Sequence, residues 1–181
     1  MKNFIILSLF LFTNIINMNT HAEENLAVEK ALSQSHQGTT YYLIRHAEKD
    51  RSNPANDNPP LNREGKARAQ KWAKVLTDVP LDMIYSTDFT RTRETAKDLA
   101  KAQNLKINLY DHNSLFDEDF QKKTRGKKVL VVGHVNTTPQ LANAILGKKK
   151  YENLPDDENG ALFIVTIDEQ GNRNSQVLYI N

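Results

Sequence analysis

Two kinds of hydrophobic spacing alternate along most of this chain. "TTYYLI" (Thr39–Ile44) is β-rich and nearly continuous in apolar character, as a central strand buried on both faces should be. A polar loop, "SNPANDNPP" (Ser52–Pro60), separates it from a helical repeat in which Ala69, Trp72, Ala73 and Leu76 fall at i, i+3, i+4 and i+7. Asn62 stands where an N-cap is needed, with Glu64 in the first turn. "LDMIYS" (Leu81–Ser86) reads as a short strand, and Phe89, Ala96, Leu99 and Ala100 mark the face of the next helix. "LKINLY" (Leu105–Tyr110) reads as a third strand. "KKVLVVGH" (Lys127–His134) carries the strongest buried-strand signal, and a helix follows with Thr138 as N-cap, Pro139 at its first position and Gly147 as its stop. "ALFIVTI" and "SQVLYI", joined through Gly171-Asn172, read as a terminal hairpin.

Strands alternating with helices predict an α/β fold: a mostly parallel sheet flanked by helices on both faces, three layers in all, with a C-terminal β-hairpin. Ligands of such sheets bind outside the carboxyl ends of the strands. Two strands deliver a histidine to that edge, His46 and His134, and the first also delivers Arg45.

The first 22 residues break the pattern. Met1-Lys2-Asn3 is a short positive start, and Phe4–Ile16 is a charge-free apolar block of signal-peptide length, too short to favour a membrane span. "THA" (Thr20–Ala22) supplies the small residue of a cleavage site. The expected organisation is a removed signal at 1–22, a polar leader at 23–38 and a single domain at 39–181. The expected location is periplasmic or secreted, without stable membrane insertion after cleavage; an uncleaved N-terminal anchor is the alternative. The sequence contains no cysteine, which excludes disulfides, thiol chemistry and a lipid-anchored cysteine. A formal net charge of +2 is too small to argue for a nucleic-acid partner, and the basic runs Lys122–Lys128 and Lys148–Lys150 read as solvated surface. Oligomeric state is not written in the sequence.

The residues at the strand ends suit phosphoryl chemistry. Fixed cations must hold the non-bridging oxygens, and arginine meets two oxygens at once with a charge it does not lose. A neutral imidazole can attack phosphorus to give a phosphohistidine that water then breaks. His46 is the candidate nucleophile, Arg45 is adjacent, Arg91 lies early in the helix after "YSTD", and His134 follows a glycine that lets the backbone approach a ligand. Asp111, after "KINLY", is the best-placed carboxyl to protonate a leaving group, with an ordinary Asx-type turn as its structural alternative; His112 reads as exposed and uninvolved, a candidate donor only if Asp111 fails. Lys49 and Asn136 are candidate substrate contacts, Asn136 also reading as a turn residue. Arg45 and Arg91 could instead be ion-pair partners of Glu48 or Glu94. Arg93 lies about 200° around the helix from Arg91, so only one of them can face the site. Two histidines without a carboxylate at ligand spacing do not make a divalent-metal site, and no cofactor is called for.

"RHAEK", "LNREGKARA", "IYSTDFTRTRETA" and "VLVVGHVNT" together resemble the histidine phosphatase superfamily, with its phosphoglycerate-mutase-like fold, from about Tyr41 to Gly147. The resemblance implies that His46 is the phosphorylated residue and that Arg45, Arg91 and His134 complete the phosphate pocket. The segment after the third strand is short, as in the small phosphatase members. That implies net hydrolysis of a small phosphorylated substrate without a metal. A protein-phosphohistidine phosphatase and a non-catalytic phosphate-binding module of the same fold stay open. Substrate choice is expected to lie in Asp50–Pro60 and Asn113–Arg125.

Overall fold

Period-2 alternation in the buried strands splits the core into two layers. Tyr41 and Leu43 point to one face of the sheet and Ile44 to the other; Val129 and Val131 oppose Leu130 and Val132 in the same way. A sheet with two apolar faces must be covered twice. In this computed structural model, which describes residues 38–180, it is. The readings of 1–22 and of nearly all the leader lie outside the described residues.

The elements run β1 (Thr39–Arg45), α1 (Arg63–Val75), β2 (Met83–Ser86), α2 (Thr90–Ala102), β3 (Ile107–Leu109), α3 (Glu118–Thr124), β4 (Lys128–Gly133), α4 (Thr137–Leu146), β5 (Ala161–Ile167) and β6 (Arg173–Tyr179). Helices α1 and α2 bury Trp72, Ala96, Leu99 and Ala100 against Ile44, Ile84, Leu130 and Val132. On the opposite face, Phe120 of α3 and Leu141, Ala142 and Ile145 of α4 meet Tyr41, Tyr85, Val131 and Phe163. The three-layer expectation holds. The sheet is mixed, in the order β3-β2-β4-β1-β5-β6: the first four strands are parallel, and the hairpin β5-β6 joins β1 antiparallel.

Local signals account for most boundaries. Asn62 caps α1 by accepting from the Gly65 N–H at 2.8 Å. Gly147 ends α4 in the left-handed region at φ 69°. Helix α4 begins earlier than expected, however. Its N-cap is Asn136, and Pro139 falls in the third helical position, where a missing N–H still costs nothing. The Thr137 hydroxyl accepts from the His134 N–H at 2.9 Å, which tightens this turn and pulls the helix start towards the strand. The third strand is also shorter than its apolar run, because only Ile107–Leu109 has β2 alongside to pair with.

The order of the strands positions the chemistry. Strand β4 sits between β1 and β2, so three neighbouring strands end side by side at one edge. Arg45 is in register with Gly133, and the His46 N–H continues the ladder to the Gly133 carbonyl at 2.9 Å. His46 and His134, the residues that follow, must therefore be neighbours.

Candidate active site

The two imidazole centroids lie 5.5 Å apart. His46 is only 5% exposed, and its Nδ1 lies 2.7 Å from the Ala47 carbonyl. A carbonyl can only accept, so Nδ1 carries the hydrogen and Nε2 carries the lone pair. Burial lowers the His46 pKa to about 3, helped by the neighbouring charges of Arg45, Arg91 and His134 and opposed by the bond to Ala47. His46 is therefore a neutral base whose lone pair is fixed on Nε2.

His134 is set by a hydroxyl relay. Thr92 Oγ1 lies 2.9 Å from both the Thr87 and Phe89 carbonyls, so its one proton is committed to them. Thr87 Oγ1 then donates to Thr92 Oγ1 at 3.1 Å. What remains for Thr87 Oγ1, 3.0 Å from His134 Nε2, is to accept, so Nε2 carries hydrogen. His134 is presented as a neutral N–H donor, its pKa lowered to about 4 first by burial and then by Arg91, His112, Arg45 and Lys49. Thr92→Val is expected to break the relay and let His134 populate its Nδ1–H tautomer, which ring ¹⁵N shifts would report.

Arg91 has Nε and Nη1 buried with no hydrogen-bond partner among the described residues. Its guanidinium carbon lies 4.4 Å over the Phe89 ring. Desolvation and the Arg45 charge both lower its pKa, which marks a buried cation facing another cation. An oxyanion is the group such a pair lacks. Glu48 and Glu94 do not partner the arginines: Glu48 pairs with Arg68 at 2.6 Å, and Glu94 accepts from the Leu61 N–H at 2.7 Å. Arg93 pairs with Asp88 at the surface, as helix geometry required.

Arg45 differs from expectation. Its Nη1 donates to the carbonyls of Pro155, Asp156 and Glu158, at 3.1, 2.9 and 3.0 Å, and its Nη2 to Asp156 Oδ1 at 3.0 Å. The fork expected to grip two phosphate oxygens holds a loop instead, and only Nε is unpartnered. The same loop sends Asn159 Nδ2 to the His46 carbonyl at 2.8 Å.

A cleft of about 600 Å³ opens beside Arg45 and His46, lined also by Lys49, Arg51, Asp156 and Asn159. Lys49 is thus at the site. Asn136 is not: it is exposed and serves as the α4 N-cap. The Asp111 carboxylate accepts from Asn113 N and Nδ2 at 2.9 and 3.0 Å, the Asx turn that was its alternative, and it lines a separate cleft with Tyr85 and Lys123. It makes no hydrogen bond or ion pair to Arg45, His46, Arg91 or His134. The Asp50 end of the first specificity segment lines the cleft, but its second wall is Asp156–Asn159 rather than Asn113–Arg125.

Sequence reasoning missed Phe89, Thr87, Thr92, Asp156 and Asn159. Phe89 read as core because it is apolar and near a helix face; it is the N-cap of α2, and its ring lies 5.1 Å from that of His134. Asp156 and Asn159 stand in "LPDDENG", which has only loop composition. Gly133 was read as making room for a ligand. A Cβ there would lie 2.9 Å from Thr137 Oγ1, 3.0 Å from Thr138 Oγ1 and 3.1 Å from the Tyr110 hydroxyl, so the glycine admits these hydroxyls.

The profile of the histidine phosphatase superfamily (branch 1) matches residues 41–120, the segment that supplies Arg45, His46 and Arg91. Over that segment the chain is similar to the histidine phosphatase superfamily. Over 70 residues the chain is 39% identical to phosphoserine phosphatase 1 of Hydrogenobacter thermophilus. That match takes in 36% of the chain and spans about a third of the relative's length, 33%. Among solved structures, the fold is similar to the protein histidine phosphatase SixA complexed with tungstate (TM-score 0.60, 17% identity, 77% of this chain and 96% of that one). It is also similar to a mycobacterial glucosyl-3-phosphoglycerate phosphatase (0.59, 15%, 80% and 100%) and to phosphoglycerate mutase from Bacillus anthracis (0.56, 15%, 81% and 95%). At these identities the structures share the fold.

The desolvated histidines also make the protein sensitive to acid. Both folded-state pKa values lie below the roughly 6.5 of free imidazole. As the pH falls below about 6.5, the unfolded chain binds protons that the folded site refuses. Stability is therefore full above that pH and is lost as the pH falls towards 4 and then 3, with a slope of at most about 1.4 kcal/mol per pH unit for each histidine. Thermal unfolding from pH 7 to pH 4 should show this decline, and His46→Ala should flatten it.

Proposed function

We propose that this protein is a phosphomonoesterase that works through a phosphohistidine on His46, on a small phosphorylated substrate. The observation that supports it most is a neutral, buried His46 whose Nδ1 is tied to a carbonyl, beside arginine nitrogens that have no partner. The Nε2 lone pair of His46 attacks phosphorus, and the bond from phosphorus to the ester oxygen breaks. Arg91 Nε and Nη1 and Arg45 Nε stabilise the charge on the equatorial oxygens, with the His134 ring packed alongside. Water then attacks phosphorus, the N–P bond breaks, and inorganic phosphate and neutral His46 are regenerated. Lys49, half-buried and lining the cleft, adds positive charge near the incoming substrate.

The relatives' printed activities are consistent with this reading, since three of those named are phosphatases. A signal-like segment at 1–22 supports action outside the cytoplasm, in the periplasm or medium, which the mass of the mature N-terminus would test. Among the described residues, no helix is long and apolar enough to cross a membrane.

The deciding experiment is hydrolysis of a phosphomonoester panel, with phosphoserine, sugar phosphates, phosphoglycerate and p-nitrophenyl phosphate, with and without chelator. Chelator-resistant release of phosphate is expected. Dominant mutase turnover on phosphoglycerates, or no hydrolysis of any ester, would overturn the reading.

A further inference from the structure

Breaking a phosphate ester leaves an alkoxide unless a proton arrives with the bond cleavage. The groups nearest His46 cannot supply it. His46 and His134 are neutral, and each directs its one ring hydrogen to a fixed acceptor. Asp156 is an ionised bridge between Arg45 and Arg51, and Glu48 is paired with Arg68. The carboxyl expected from the sequence, Asp111, is turned into its own loop.

The next residue is not. The His112 ring packs at 6.1 Å from His134 and 6.3 Å from Phe89, so the three rings form one cluster, which meets His46 through His134. Its side chain is 41% exposed, enough to exchange protons with water. Its Nδ1 lies 3.9 Å from Asp111 Oδ1, an oxygen already fixed by two bonds from Asn113. A carboxylate held there favours a hydrogen on Nδ1, with Nε2 as the nitrogen away from it. Among the described residues, Lys49, Asp50, Glu64 and Asp157 also line the cleft, on the side of Arg45.

We infer that His112 is the catalytic proton donor to the leaving group and that Asp111 is its positioning residue, a pairing that rests on the phosphatase reading above. As His46 Nε2 bonds to phosphorus, the electron pair of the P–O bond passes to the ester oxygen. That oxygen takes the proton of the His112 imidazolium and departs as the alcohol. Neutral His112 then accepts a proton from the water that attacks the phosphohistidine, while the N–P pair returns to His46. The charge and protons of the site are thereby restored.

The test compares esters that do and do not need a proton. p-Nitrophenolate leaves unaided, whereas the alkoxide of glycerol 2-phosphate does not. For His112→Gln we expect a loss of at least 100-fold in kcat on glycerol 2-phosphate and less than about 5-fold on p-nitrophenyl phosphate. Asp111→Asn should show the same selectivity at about 10-fold. An equal loss on both esters, no loss on the alkyl ester, or a selective loss in Lys49→Met with His112→Gln unaffected would overturn the inference while leaving the phosphatase reading intact. A wild-type protein that hydrolyses neither ester would instead remove that reading, and this inference with it.

Discussion

His46→Ala should lose all measurable phosphatase turnover, a fall of at least about 10⁴-fold, because no second nucleophile stands at the site. The claim is sharper than the loss of any active-site histidine. The Nδ1 bond to Ala47 selects Nε2 as attacking nitrogen, and a pKa of about 3 keeps it unprotonated across the working pH range. Wild-type protein mixed with substrate and quenched in alkali should carry phosphate that is stable to base and labile to acid, as a phosphoramidate is. The variant should carry none. Folding is not expected to be the cause, since the backbone bonds of His46 to Gly133 and from Asn159 survive the substitution. Retained turnover in a folded His46→Ala protein would refute the mechanism.

Arg91→Ala should cost between about 10² and 10³ in kcat/KM, the range for removing a preorganised donor aimed at developing charge. Inorganic phosphate is expected to raise the Tm of the wild-type protein, and Arg91→Ala should abolish that rise, because the arginine is the main source of unpartnered N–H groups at the site. Its effect on the stability of the free protein runs the other way. Arg91 is partly buried, faces Arg45, and has nitrogens without a partner, so folding desolvates a charge without compensation. Removing it should leave Tm unchanged or raise it, apart from the lost contact with Phe89. Loss of activity at undiminished stability is the signature of a residue kept for its ligand. A variant that loses both together would show Arg91 to be structural.

These effects bear on how the site is divided. Arg91 has unpartnered N–H groups to offer an oxyanion, whereas Arg45 mainly holds the Pro155–Asn159 loop against His46. Two arginines that look equivalent in "RHAEK" and "TRTRETA" therefore have different duties. An arginine fork in a buried position bonds to whichever acceptors the chain folds towards it, and here three carbonyls turn inward.

Much of this was legible in the sequence, for definite reasons. Spacing determined the strands, the faces of α1 and α2 and the cap at Asn62, because burial and capping are local in sequence. A histidine or arginine at the end of an apolar run must emerge at the sheet edge, which located Arg45, His46, Arg91 and His134. Only the tertiary structure decided what depends on groups far apart in the chain. The side-by-side ending of β1, β4 and β2 joins Thr87 to His134 across 47 positions. The loop that fixes Arg45 comes from about 110 residues away. Asp111 had the right chemistry at the right strand end, yet a turn bond two residues away claimed its oxygen and left His112 beside the site. Periodicity reports which way a side chain faces; which partner reaches its atoms first is settled only when the strands have been ordered and the loops have closed over them.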